Sequence, residues 1–318
     1  MILVLRALGI GDLATAVPAL RGLRAAFPGR VLALAAPRWL APLAELIGGI
    51  DRLIPVDGLD PYDWPVGAPT WAVNLHGSGP QSHRLLRAAR PRRLVAYACS
   101  AADHSDGPTW RAEEHEVRRW CRLLSWYGVD ADPEDLRLRR PPPGGVPTGV
   151  SIVHPGAKAA QRRWPPERFA EVARRLTAHG HRVVVTGTAA ERRLAAQVAG
   201  QAGLPDSAVL AGETDVGDLA ALVAHARLLV SGDTGVGHLA TGFATPSVLL
   251  FGPVPPAQWG PPGDRPWHRA LWADPGPDAD RPERDAHAPH PALAALDVPQ
   301  VLAAAGEVER AGGQARTR

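Results

Sequence analysis

The stretch MILVLRALGIGDLATAVPALRGLRAAFPGRVLALA, residues 1–35, decides the fold. Ile2 to Leu5 is a short apolar run, closed by Gly9 and Gly11. Leu13 to Phe27 carries helical spacing and stops at Pro28-Gly29, and Val31 to Ala35 is a second apolar run. Strand, glycine turn, helix and strand in that order open a parallel α/β sheet.

Downstream, Arg52 to Val56, Trp71 to Leu75 and Arg93 to Tyr97 read as further strands. Glu113 to Tyr127 reads as a helix, with Val117, Trp120, Cys121 and Leu124 on one face. Arg140-Pro-Pro-Pro-Gly-Gly-Val-Pro-Thr-Gly149 can continue neither a helix nor a central strand. The same alternation then restarts. Val150 to Val153, Val183 to Thr186, Leu228 to Ser231 and Val248 to Phe251 are strands. Glu167 to His179 and Ala190 to Ala202 are helices. The expected fold class is therefore α/β, with two Rossmann-like domains facing a cleft, over residues 1–143 and 149–275. Residues 276–318 form a tail, with a last helix at Ala292 to Ala305 and a frayed end from Gly306. Ligands in such sheets bind beyond the carboxyl ends of the strands.

Composition narrows the class. The 318 residues are 45% hydrophobic and 21% charged, and 33 Gly with 33 Pro stay below the level of a disordered or fibrous chain. The 35 basic against 32 acidic residues are too balanced for a general nucleic-acid binder, so no nucleic acid is expected as partner. Lys158 is the only lysine, which makes Arg the default phosphate partner. Cys99 and Cys121 are too few for a disulfide framework or a four-ligand zinc site. No apolar run reaches 18 residues, and no basic segment precedes the apolar start. The expected location is cytoplasmic, with contact at the inner face of the membrane.

Three loops carry chemistry. Gly9-Ile10-Gly11-Asp12-Leu13-Ala14 fits G-x-G-x-x-A, a weak dinucleotide signal. The acid wanted at the end of the second strand is absent; Ala35-Ala36-Pro37-Arg38 stands there, and Arg38 suits only a 2′-phosphate. Asp12 would repel a pyrophosphate at that turn. It either caps a helix beginning near Leu13 or serves as a general base. His154-Pro155-Gly156-Ala157-Lys158 and Gln161-Arg162-Arg163-Trp164-Pro165 form a strand-to-helix loop whose cations either hold phosphates or are simply solvated. Trp164 is expected to pack beneath the helix that the prolines start. In Ser231-Gly232-Asp233-Thr234-Gly235-Val236-Gly237-His238, a strand ends and a helix begins. The N–H groups of Thr234, Gly235 and Val236 can surround a phosphate oxygen, and His238 shares a helix face with Thr234. Asp233 as a cap and His238 as a core histidine are the structural alternatives. His287 and His290 read as solvated tail residues, so no metal site is expected.

Taken together these stretches resemble glycosyltransferase family 9, the heptosyltransferases, from Met1 to about Pro262. The carriers are Gly11-Asp12 with Val17-Pro18-Ala19-Leu20, the His154-to-Ala157 loop with Arg163-Trp164-Pro165, and Asp233-Thr234-Gly235 with His238-Leu239-Ala240, followed by Phe251-Gly252-Pro253. The resemblance implies a GT-B fold and an inverting, metal-independent transfer without a cofactor. The sugar, heptose or a similar one, would pass from a nucleotide-diphosphate donor such as ADP-heptose to a glycan or glycolipid acceptor. It implies that Asp12 is the catalytic base, with Gly9 and Gly11 on the acceptor side. It assigns donor contacts to Glu191, Asp233, Thr234, Gly235 and His238. The family's donor-binding lysine, two residues before the Trp, is Arg162 here; Lys158 is the other available cation. Arg84, Arg87, Arg90, Arg92 and Arg93 are a basic set for a phosphorylated acceptor. A monomer is expected. Two rival readings are an NADP-dependent oxidoreductase using the first glycine turn and a non-catalytic nucleotide-sugar-binding protein.

Overall fold

The computed structural model describes residues 1–274, 276 and 288–316. It divides into two compact units, Met1–Arg139 and Arg140–Arg318.

The first unit runs β1 (Ile2–Leu5), α1 (Ile10–Thr15), α2 (Val17–Ala26), β2 (Leu32–Ala36), α3 (Ala41–Ile47), β3 (Arg52–Pro55), β4 (Trp71–Asn74), α4 (Gln81–Ala88), β5 (Arg93–Val95) and α5 (Glu116–Trp126). All four strand pairings are parallel, in the order β3-β2-β1-β4-β5. β1 is central, and its unbroken apolar run is what a strand covered on both faces requires. The chain reverses direction across the sheet between β1 and β4, so the loops leaving these two strands flank the topological switch point.

The expected helix from Leu13 to Phe27 is two helices. It starts earlier, at Ile10, because Asp12 in the first turn reaches back to accept the Gly9 N–H at 3.1 Å. It breaks at Ala16 because Pro18 has no N–H to donate to the carbonyl four residues back. α5 starts at Glu116 rather than Glu113, where the His115 ring accepts the Val117 N–H.

The second unit runs β6 (Ser151–His154), α6 (Pro166–Ala178), β7 (Val183–Val185), α7 (Arg192–Ala202), α8 (Val216–Ala224), β8 (Leu228–Gly232), α9 (Gly235–Phe243), β9 (Ser247–Leu250), α10 (Pro256–Trp259), β10 (His268–Leu271), α11 (Pro291–Ala294) and α12 (Val298–Arg316). This sheet is also parallel, in the order β10-β9-β8-β6-β7. Its switch point lies between β6 and β8. Trp164 is buried against Phe169, 5.0 Å between ring centroids, and donates to the Leu296 carbonyl at 3.1 Å.

The proline–glycine segment is fastened to the second unit: Arg140 donates to the Phe243 carbonyl at 2.9 Å, and the His225 ring meets the Pro141 carbonyl at 2.8 Å. The chain is also not frayed from Gly306. α12 continues to Arg316, because Val301, Ala304, Ala305 and Val308 are buried in the core of this unit. Among the described residues no helix is long and apolar enough to cross a membrane.

Candidate active site

In the first unit the switch-point loops bring Arg6, Gly9, Gly11, Asp12 and His76 together. Gly9 is the N-cap of α1, in extended backbone, and Gly11 lies in the first turn. The Asp12 side chain is 30% exposed, and its two oxygens are engaged differently. Oδ2 accepts the Gly9 N–H, and Oδ1 faces the Arg6 guanidinium at 3.6 Å. Asp12 thus stabilises the helix start, the first of the two roles the sequence left open, and its carboxylate is in part open to solvent. His76, on the loop after β4, is pushed down to about 4 by burial and by the Arg6 charge, while Asp12 pulls the other way. Its imidazole is therefore neutral near pH 7.

The basic set of this unit is partly committed. Arg84 donates to the Ala101 carbonyl at 2.7 Å and Arg87 to the Asp103 carbonyl at 2.8 Å. Arg93 pairs with Asp106 at 3.5 Å and lies over the Tyr127 ring. These arginines tie the loop around residues 101–106 to α4 and β5.

In the second unit the loop after β6 folds over the end of β8. A Cβ on Gly232 would lie 3.3 Å from the Arg162 carbonyl oxygen, so the two loops touch through backbone. Arg162 meets Asp233 at 3.3 Å. Burial raises the Asp233 carboxyl above its ordinary value, and the charges of His238 and Arg162 act against that rise. Thr234 is the N-cap of α9, and its hydroxyl lies 3.0 Å from the Ser231 hydroxyl. Gly235 opens the helix, and in its first turn the Gly237 N–H donates to the Thr234 carbonyl at 3.0 Å. His238 lies one turn further, its ring 5.8 Å from that of Trp259. Lys158 is exposed on the same loop as Arg162, which is half-buried.

Glu191 has a defined structural task. Its Oε2 accepts from the Thr188 N–H at 2.8 Å and the Thr188 hydroxyl at 2.9 Å, closing a capping box ahead of α7. A Cβ on Gly156 would lie 2.4 Å from the Glu191 carboxylate, so a side chain there would have to displace that carboxylate or the loop. His154 donates to or accepts from the Thr186 hydroxyl at 2.9 Å; burial lowers its pKa, with the Glu191 charge opposing. The structure thus gathers Arg162, Asp233, Thr234, Gly235 and His238 at one place, with Glu191 against the Gly156 loop.

Arg6, Glu116 and His76 were not singled out in the sequence. The one local signal was Arg6, a charge placed directly after an all-apolar strand. His290 caps α11, its ring accepting the Ala292 N–H at 3.3 Å, while His287 lies outside the described residues. Among the described residues, no group of three or more His, Cys, Asp or Glu could hold a metal ion.

The sequence profile of glycosyltransferase family 9 (heptosyltransferase) matches residues 110–285, more than half of the chain. The chain belongs to glycosyltransferase family 9. Over 179 residues it is 28% identical to lipopolysaccharide heptosyltransferase 3 of Escherichia coli, 51% of each chain. Over 131 residues it is 37% identical to lipopolysaccharide heptosyltransferase 1 of Pseudomonas aeruginosa, 41% of this chain and 34% of the relative. The alignments span about half the length of these relatives or less. The solved structure of E. coli ADP-heptose lipopolysaccharide heptosyltransferase II superposes with a TM-score of 0.76 at 19% identity, covering 99% of both chains. The fold of this family 9 chain is accordingly GT-B, α/β in both units. The family profile covers α5 and all of the Arg162, Glu191 and Asp233–His238 region, but not the Asp12 turn.

Proposed function

We propose that the protein is an inverting, metal-independent glycosyltransferase. It moves heptose or a similar sugar from an ADP-activated donor to a glycan or glycolipid acceptor. The observation that carries this reading is the meeting of Arg162, Asp233, Thr234 and His238 at the switch point of the second sheet, beside the N-terminus of α9. Breaking a sugar–diphosphate bond puts negative charge on the leaving phosphate. Helix N–H groups and a fixed guanidinium are suited to stabilise that charge.

In this reading Asp12 takes the proton of the acceptor hydroxyl as that oxygen attacks the anomeric carbon. The bond from the anomeric carbon to the donor phosphate breaks, and its electron pair leaves with the nucleoside diphosphate. Attack opposite the leaving group inverts the anomeric centre. Glu191, held next to the Gly156 loop, is assigned to the donor's sugar or ribose. The names of the lipopolysaccharide heptosyltransferases support heptose and a lipid-linked glycan as the substrate classes. We place the protein as a monomer in the cytoplasm, at the inner membrane face, where such an acceptor is reached.

The test is thermal shift with ADP-, UDP- and GDP-sugars and NADP, followed by a transfer assay with and without excess EDTA. Stabilisation by the ADP-sugar, scaling with ligand concentration, and transfer that survives EDTA are expected. Stabilisation by NADP alone, or strict dependence on added magnesium or manganese, overturns the reading.

A further inference from the structure

Asp12 is the group that the proposed reaction asks to take a proton, and its surroundings assign a role to a residue behind it. Arg6 follows β1 and is 1% exposed. A buried guanidinium is tolerated only where its charge and its N–H groups are met. Here Glu116 of α5 meets the charge at 2.9 Å, the Leu75 carbonyl accepts a second bond, and the Thr15 hydroxyl accepts a third at 3.3 Å. The Trp120 ring lies under the guanidinium at 4.8 Å and donates its indole N–H to the same Glu116 oxygen at 2.9 Å. Arg119 engages the other Glu116 oxygen. Arg6 is therefore fixed from three sides, by the residue after β4, by α1 and by α5.

What it then holds is Asp12, at both ends. Arg6 Nε donates to the Asp12 carbonyl at 2.9 Å, and its terminal nitrogen faces Asp12 Oδ1 at 3.6 Å. The Gly9 N–H takes the other carboxylate oxygen. We infer that Arg6, anchored by Glu116, is the positioning residue for Asp12. This inference rests on the reading of Asp12 as the base. Arg6 is sealed beneath the carboxylate and touches no substrate; it fixes where the exposed oxygen points. A small misplacement of a catalytic group costs on the order of 10²-fold in rate.

The groups around Asp12 also supply a readout independent of turnover. His76 is repelled by Arg6 and attracted by Asp12. Burial is the larger cause of its lowered pKa and would remain, so with Arg6 neutralised and Asp12 left in place the His76 pKa should rise above about 4 only by the share that the Arg6 charge contributes.

The experiment uses the full chain and four variants: Asp12→Asn, Arg6→Lys, Arg6→Met, and Arg6→Met with Glu116→Gln. The double variant avoids stranding the Glu116 carboxylate, so lost folding and lost positioning can be told apart. For Arg6→Met and the double variant, kcat should fall by about tenfold or more, on the order of the misplacement effect. Donor KM and ADP affinity should be unchanged. Arg6→Lys, which keeps the charge but cannot hold both ends of Asp12, should recover part of the loss. NMR titration of His76 should show the rise. Wild-type kcat in a folded double variant overturns the inference alone. Absent turnover in the wild type, or full turnover in Asp12→Asn, overturns the base assignment and the inference with it.

Discussion

Arg162 and Asp233, 71 residues apart in the chain, meet at 3.3 Å where the loop after β6 crosses the end of β8. The arginine is 38% exposed and the aspartate 11%, so the pair is anchored on its acidic side and open on its basic side. In the proposed reading, an incoming diphosphate would find a guanidinium already oriented by a largely buried carboxylate.

Removing that guanidinium should weaken product binding. A charge-assisted contact contributes roughly 1.5–3 kcal/mol, so Arg162→Ala should lower ADP affinity by about tenfold or more. Thr234→Val, which keeps shape and removes a hydroxyl, should act in the same direction. Lys158→Ala should change affinity by less than about twofold, as expected for a solvated surface charge. Calorimetric titration of ADP against the three variants is the check; an unchanged affinity in all of them would move the donor elsewhere.

Asp12→Asn should leave the fold standing and stop transfer. The asparagine carbonyl can still accept the Gly9 N–H, so the change in stability should stay near the 1 kcal/mol of a lost cap or below it. Loss of a general base costs about 10²–10⁴-fold in rate. Melting temperature and turnover measured side by side separate the two roles, and near-normal turnover would remove Asp12 from the chemistry.

Gly156→Ala tests the contact between the His154-to-Lys158 loop and Glu191. The added methyl would sit 2.4 Å from the Glu191 carboxylate, so either the loop or the capping box must shift. A cost of about 1–3 kcal/mol is expected for such overpacking, with weaker donor binding beside it. Denaturant unfolding and ADP titration of this one variant report both effects.

His268 should make the second unit acid-sensitive. Burial and the Arg265 charge push its pKa down to about 3, and the ring sits 2.8 Å from the Ser247 hydroxyl. The folded state thus holds the imidazole neutral, while the unfolded chain protonates it below about pH 6.5. The unfolded state then binds more protons, so stability is full above pH 6.5 and declines as pH falls toward 3, by about 1.4 kcal/mol per unit for this group. His268→Asn keeps a partner for Ser247 and removes the titration. Urea unfolding at pH 7 and pH 5 should therefore show a smaller acid loss in the variant, by about 2 kcal/mol.

Much of the frame could be read from the chain because β1, β6 and β8 are buried strands that carry short apolar stretches, Ile2 to Leu5, Ile152-Val153 and Leu228 to Val230. The glycine turns after β1 and β8 could be read for a related reason, since a strand that ends at a site needs a compact turn into its helix. α4 was missed because its sequence, Gln81-Ser-His-Arg-Leu-Leu-Arg-Ala88, is half polar and its apolar face is only two leucines wide. The end of α12 was missed because small residues such as Gly306 look like a frayed terminus until their packing partners are known. Site residues recruited from a distance left no local mark. Glu116 lies 110 residues from Arg6, and nothing near α5 indicates that its carboxylate neutralises a charge on the strand side of the sheet.

The position of α12 also bears on the order in which the protein is made. Every strand of the first sheet has left the ribosome by Val95, and the unit closes by Arg139, so it can fold while synthesis continues. The second unit must wait for Val301 to Val308, which fill its core from the far end of the sequence. Until they emerge, β8, β9 and β10 would lack the helix that packs on them, leaving apolar surface open on a nascent chain. A ribosome stalled before residue 298 would therefore carry one finished unit and one that chaperones hold.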